Sequence, residues 1–274
     1  MNHLALYLLG SPRLERDGQP VELDTRKALA LLAYLAVSGQ VHSRDALAGL
    51  LWPDYDQVHA RGALRRTLST LQKALGEPLL EVSRERLRLN PGQPFWCDAL
   101  EFRRLVAENA AHHPTTGQLC DLCREKLDQA LALYRGDFLA GFALRDSPTF
   151  DDWQYLESES FRRELAGALE KLERHALAAG EHEAAIHFAH RWLALDPLRE
   201  EAHRALMESY ALSGQRNAAL RQYRECVRTL DQELGVPPLE ETNRLYQAIL
   251  ENRLPIPSEA PIQISDVPFP RMAW

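Results

Sequence analysis

The chain reads as a mostly α protein, with an α+β portion in front and an all-α helical repeat behind. Three observations predict this. Strand alternation and the Asp-Gly hairpin signal fall before Asp98, beyond which strand signals nearly vanish. Helical periodicity then persists from Asp98 to about Leu250. Within that stretch a pattern recurs at a spacing of 34 residues.

The elements follow in order. Leu4, Leu6 and Leu8 alternate, Asp17-Gly18 supplies a hairpin signal, and Val21 and Leu23 continue, which predicts a small antiparallel strand set. Asp24 or Thr25 can cap a helix through Leu35, with Leu29, Leu32 and Ala36 at helical spacing. Ser43 caps a second, short helix carrying Leu47, Leu50 and Leu51, and Pro53 ends it.

Asp54 or Asp56 can cap the third helix, which Gly76 stops. In it Leu64, Leu68, Leu71 and Leu75 form one continuous apolar stripe. Arg66, Ser69 and Lys73 lie opposite the stripe, with Arg61 and Arg65 on its flank. Such a helix can bury its leucines and still present guanidinium and hydroxyl groups to the acceptors of a DNA major groove. Next come Leu80, Val82, Leu87 and Leu89 on one side of a hairpin, Arg86 and Arg88 on the other, and Arg84 in the turn. Strands, three helices and a terminal hairpin is the order of a winged helix-turn-helix.

In the second part, Ala179-Gly180 followed by Ala184-Ala185-Ile186 recurs as Ser213-Gly214 followed by Ala218-Ala219-Leu220. The spacing is the period of the tetratricopeptide repeat, whose small residues sit where two helices cross closely. Asp196-Pro197 breaks one unit from the next, and Gly235-Val236-Pro237-Pro238 separates the last long helix from a shorter one, Glu240 to Leu250. Gln129-Ala130-Leu131 with Tyr134 reads as an earlier, degenerate second helix of the same kind. The expected organisation is therefore a winged helix-turn-helix over 1–95, a tetratricopeptide-like all-α domain over 96–253, and a Pro-rich extended tail or linker over 254–274.

The net charge of −7 becomes informative once divided. Residues 1–95 carry 12 Lys/Arg against 10 Asp/Glu, and the remainder 20 against 29, so +2 in front is outweighed by −9 behind. A local cationic face governs phosphate binding more than the whole-chain balance does. Four cysteines in 274 residues, in a chain whose opening MNHLALYLLGSP has no basic leader and too short an apolar run for a secretory signal, read as reduced thiols in a cytoplasmic protein. No apolar run reaches the roughly 18 residues of a membrane span, so no membrane association is expected.

The order and spacing of these segments resemble the bacterial transcriptional activator family typified by the Streptomyces antibiotic regulatory proteins. The matching residues are Leu8-Leu9-Gly10, Lys27 through Leu35, Arg44-Asp45-Ala46-Leu47, Leu51-Trp52-Pro53, Ala60-Arg61 and Leu64-Arg65-Arg66, with Leu68 and Leu71. Further on they are Tyr134 through Leu139, Trp153, Asp196-Pro197-Leu198, Glu201-Ala202, Tyr223 and Glu233-Leu234-Gly235. That family joins an OmpR-like winged helix to a bacterial transcriptional activation domain. The resemblance implies sequence-specific binding of double-stranded promoter DNA at repeated sites and recruitment of RNA polymerase. It also implies a homodimer, pre-formed or assembled only on DNA. It makes Arg61, Arg65, Arg66, Ser69 and Lys73 base-reading candidates, and Arg26, Lys27, Arg84 and Arg86 candidates for phosphate or wing contacts. Gly62 on the exposed face departs from good helix design and allows close backbone approach to DNA.

Blander readings stand beside these. The arginines of the third helix can be a solvated face, and Arg84, Arg86 and Arg88 can be edge-strand protection. In that case the chain is a protein-interaction module with a non-DNA-binding winged domain; separately, the Pro-rich tail allows the reading that it is the N-terminal part of a larger regulator. Cys120 and Cys123, with His112 and His113 upstream, raise a zinc hypothesis. Adjacent histidines do not both aim easily at one metal and the spacing matches no common finger, so ordinary thiols are expected, with no metal and no cofactor. His187 and His190 lack the HExxH arrangement. There is no phosphate-binding glycine loop and no nucleophile elbow, so no enzymatic activity is expected.

Overall fold

A computed structural model describes residues 4–76, 79–93, 95–112 and 119–254. The chain divides into two compact units, Met1–Leu172 and Glu173–Trp274. Residues 255–274, most of the expected tail, lie outside the described residues.

The first unit opens with β1 (Leu4–Tyr7), β2 (Arg13–Arg16) and β3 (Gln19–Pro20). Asp17 and Gly18, at φ 50° and 78°, make the tight turn that the dipeptide predicts. A fourth strand was not expected: β7 (Phe95–Cys97) lies parallel to β1, giving the order β3-β2-β1-β7. A parallel partner some ninety residues away leaves no hairpin signature to read.

Three helices follow: α1 (Arg26–Ser38), α2 (Arg44–Leu51) and α3 (Gln57–Leu75). Their N-caps are Thr25, Ser43 and Asp56, each with its side chain accepting from a backbone N–H of the first turn. Leu31, Leu32 and Leu35 of α1, Leu47 and Leu51 of α2, and Leu64, Leu68 and Leu71 of α3 are buried. The wing is β5 (Leu80–Val82) and β6 (Arg86–Leu89), to which β4 (His42–Ser43) adds a short third strand, in the order β4-β6-β5. This is a winged helix-turn-helix.

Beyond it, α4 (Asp98–His112) and α5 (Asp121–Leu133) pack together, and α6 (Pro148–Ala178) begins. Asp98 is fully buried and accepts from the N–H groups of Leu8 (2.7 Å) and Leu9 (3.2 Å) and from Arg135 Nη2 (2.7 Å). Leu8 and Gly10 also bond the backbone of residues 137–140, where Leu139 N donates to Leu8 O at 2.8 Å. The chains cross so closely that a Cβ on Gly136 would sit 3.3 Å from Gly10 Cα. Phe102, Phe138, Phe150 and Phe161 fill the core around this seam, and Tyr34 of α1 meets Trp153 of α6 edge-on at 4.8 Å. The boundary expected between 95 and 96 thus falls inside the first compact unit.

The second unit carries α7 (His182–Leu195), α8 (Glu200–Leu212), α9 (Arg216–Leu234) and α10 (Glu240–Leu250), packed as successive neighbours. The repeat is visible in atomic detail. Gly180 and Gly214 adopt φ 74° and 77°; Glu181 N bonds Ala176 O as Gln215 N bonds Tyr210 O, and Ala185 and Ala219 are both fully buried. No helix among the described residues is long and apolar enough to cross a membrane.

Candidate nucleic-acid interface

The solvent-facing side of α3, from the flank of its leucine stripe round to the opposite face, carries two side-chain rows. Gln57, Arg61, Arg65, Ser69 and Lys73 make one row at i+4 intervals, and Val58, Gly62 and Arg66 make another. All are exposed except Gly62, which is half-buried. All five expected base-reading residues, Arg61, Arg65, Arg66, Ser69 and Lys73, therefore stand on a solvent-facing surface.

Arg61 has a second commitment. Its Nε and Nη2 grip both oxygens of Asp45 at the start of α2, the latter at 2.6 Å. The guanidinium holds the Asp45 carboxyl below the usual carboxylate range. A bidentate pair of this kind fixes orientation as well as distance, so it braces the turn between α2 and α3. Arg16 of β2 donates to Ala74 O at 2.8 Å, placing a cation on the C-terminal carbonyls of α3. The Asp56 cap lies below its ordinary range chiefly through the His59 backbone N–H.

The remaining candidates separate. Arg84 and Arg86 are exposed at the tip and outer side of the wing. Ser83 closes that turn, with its Oγ accepting from Arg86 N at 2.9 Å, and Glu85 O accepts from Arg44 N at 3.0 Å, tying the wing to α2. Arg88 instead faces Glu81 across the hairpin at 2.6 Å. At the head of α1, Lys27 Nζ contacts Asp146 at 2.7 Å with its side chain only 14% exposed. Arg26 donates from Nε to Ala143 O and stacks over Phe142. Both belong to a cavity of about 880 Å³ between α1, α3 and residues 143–146, which Arg66, Thr70 and Arg145 also line.

Sequence reasoning missed Tyr55 and Val58. Each is a large apolar side chain left in water, 53% and 79% exposed, at the entrance of α3. In helix-turn-helix proteins the N-terminal residues of the recognition helix contact base edges, and an apolar side chain there can meet a thymine methyl. The signal was available: a bare Val at the second position of a capped helix, off the leucine stripe.

Over residues 97–250 the sequence matches the family described as bacterial transcriptional activator domain. Transcriptional regulatory protein MoaR1 of Mycobacterium bovis is 30% identical over 256 residues, covering 89% of this chain and 78% of MoaR1. Regulatory protein AfsR of Streptomyces coelicolor is 30% identical over 249 residues, covering 90% of this chain and 24% of AfsR. Among solved structures, Mycobacterium tuberculosis EmbR in complex with a low affinity phosphopeptide is similar with a TM-score of 0.72 at 26% identity. That match covers 93% of this chain and 66% of the EmbR chain.

Proposed function

The chain belongs to the family of transcription regulators that carry the bacterial transcriptional activator domain, and from that premise we propose that it activates transcription by binding promoter DNA through α3. The exposed double row on α3 carries the reading. Arg65 and Arg66 read base edges, where one bidentate arginine–guanine contact is worth about 1–3 kcal/mol of discrimination. Ser69 and Lys73 extend the contact, Arg61 contributes after leaving or sharing Asp45, and Val58 supplies an apolar contact. Arg84 and Arg86 on the wing, and Arg26 beside the cavity, bind phosphate; Lys27 joins them only by releasing Asp146. Residues 1–95 supply the DNA-binding function. Residues 96–253, a tetratricopeptide-like activation domain, supply protein contacts to RNA polymerase and to a second copy on repeated promoter sites. The protein works in the cytoplasm.

A gel shift against the protein's own upstream region, titrated with salt, tests this. The expected result is a specific complex whose affinity falls steeply as salt rises and which the Arg65→Ala, Arg66→Ala double variant loses while remaining folded. Equal binding of any sequence, or none at any salt, overturns it in favour of an interaction module.

A further inference from the structure

A metal-ligand set lies outside the DNA-binding surface. The C-terminal end of α4 meets the first turn of α5. Cys120 is the N-cap of α5 and Cys123 stands one turn later, so both sulfurs leave the same end of the helix on the same side. There His112 Nδ1 lies 3.2 Å from Cys123 Sγ and 3.7 Å from Cys120 Sγ. All three atoms fall within 4.8 Å of one another.

The Cys120–His112 separation is that of ligands around one centre, and the Cys123–His112 separation is somewhat shorter. With Zn–S of about 2.3 Å and Zn–N of about 2.0–2.1 Å, adjacent corners of a tetrahedron lie about 3.6 Å apart for S and N and about 3.8 Å for two sulfurs. A thiol–imidazole hydrogen bond needs one sulfur, whereas here two converge on one nitrogen. The donor types agree: two thiolates and a neutral imidazole suit a borderline-soft cation and exactly neutralise a divalent one. The objection from the sequence, that neighbouring histidines rarely share a metal, does not arise, since among the described residues His112 supplies the nitrogen without His113, which lies outside them. The other two cysteines, Cys97 and Cys226, are buried elsewhere.

We propose that His112, Cys120 and Cys123 bind a zinc ion that clips the end of α4 to the start of α5. This joins the two helices at the mouth of their hairpin. It is independent of the DNA-binding reading.

The test uses the full chain, purified reduced and without chelator. Elemental analysis is expected to find about one zinc per chain, lost with strong chelator together with a fall in Tm. Cobalt substitution is expected to give a near-ultraviolet thiolate-to-metal band and the intense visible bands of a tetrahedral site. Cys120→Ser, at a half-exposed position, and His112→Ala are each expected to lower zinc content at least tenfold while far-ultraviolet circular dichroism stays unchanged. Should a variant misfold, the cobalt spectrum of the parent chain decides. A chain that neither carries nor takes up zinc overturns the proposal. So does a cobalt spectrum without the thiolate band, zinc retained by folded Cys120→Ser, or a Cys120–Cys123 disulfide whose reduction brings no zinc uptake.

Discussion

Arg65 and Arg61 sit one turn apart, yet their surroundings assign them different work. Among the described residues Arg65 and Arg66 form no ion pair, whereas Arg61 is held by both oxygens of Asp45. Arg61→Ala is therefore expected to weaken specific DNA binding and to loosen the α2–α3 turn, visible as a lowered Tm. Arg65→Ala should leave Tm in place and act on affinity alone. Gly62 offers a sharper separation. A Cβ there would meet nothing nearer than Arg66 Nη1 at 3.9 Å. Gly62→Ala should thus stabilise the helix by about 0.5–1 kcal/mol. If the backbone approaches DNA at this position, the same variant binds its site more weakly, and thermal melts beside binding isotherms resolve the two effects. The arginines of α3 were legible because helical periodicity is local. Asp45 as the brace for Arg61 was not, since a pair across a turn depends on the crossing of two helices, which no spacing rule gives.

Among the elements, the buried carboxylate that starts α4 has the largest expected effect. Asp98 satisfies two N–H groups at the end of β1 and meets the Arg135 guanidinium. Removing it leaves the buried Leu8 and Leu9 N–H groups without their partner, so Asp98→Ala is expected to cost about 2–4 kcal/mol in denaturant unfolding. Burial itself pushes this carboxyl above its ordinary range, against the hydrogen bonds. The opposite case is Asp137, which Arg162 holds below its ordinary value of 3.8. A carboxylate depressed in the folded state adds stability at pH values above the unfolded value and loses it as pH falls through the lower one. Melting curves over acid pH should therefore drop more steeply for the parent than for Asp137→Asn. Helix bounds came through sequence reading closely because Thr25, Ser43 and Asp56 announce their own helices. β4 and β7, two and three residues long, carry no periodicity of their own and exist only through partners distant in sequence.

For the whole chain, the division of charge makes a quantitative statement. The cationic surplus belongs to the segment bearing α3 and the wing, while the remainder is strongly acidic. Each phosphate contact removed should flatten the dependence of log K on log salt by about one unit. Replacing Arg84 and Arg86 together should therefore lower that slope by about two, with little change in sequence preference. The 34-residue repeat was visible in sequence because each unit reproduces one turn geometry, down to the paired backbone bonds after Gly180 and Gly214. The packing units were less visible, since β7, Asp98 and the 137–140 segment reach back to the first strand. A fragment of residues 1–95 should accordingly show little cooperative unfolding, while one ending at 172 should melt in a single transition.

The crossing of Gly10 with Gly136 reaches beyond this one chain, to how such genes can be rearranged. A recombination event that joins the winged-helix portion to a new effector just after the wing would strip the first strand of its neighbours. Fusions of this chain that keep the first strand packed are expected to break downstream of the Gly136–Phe138 stretch.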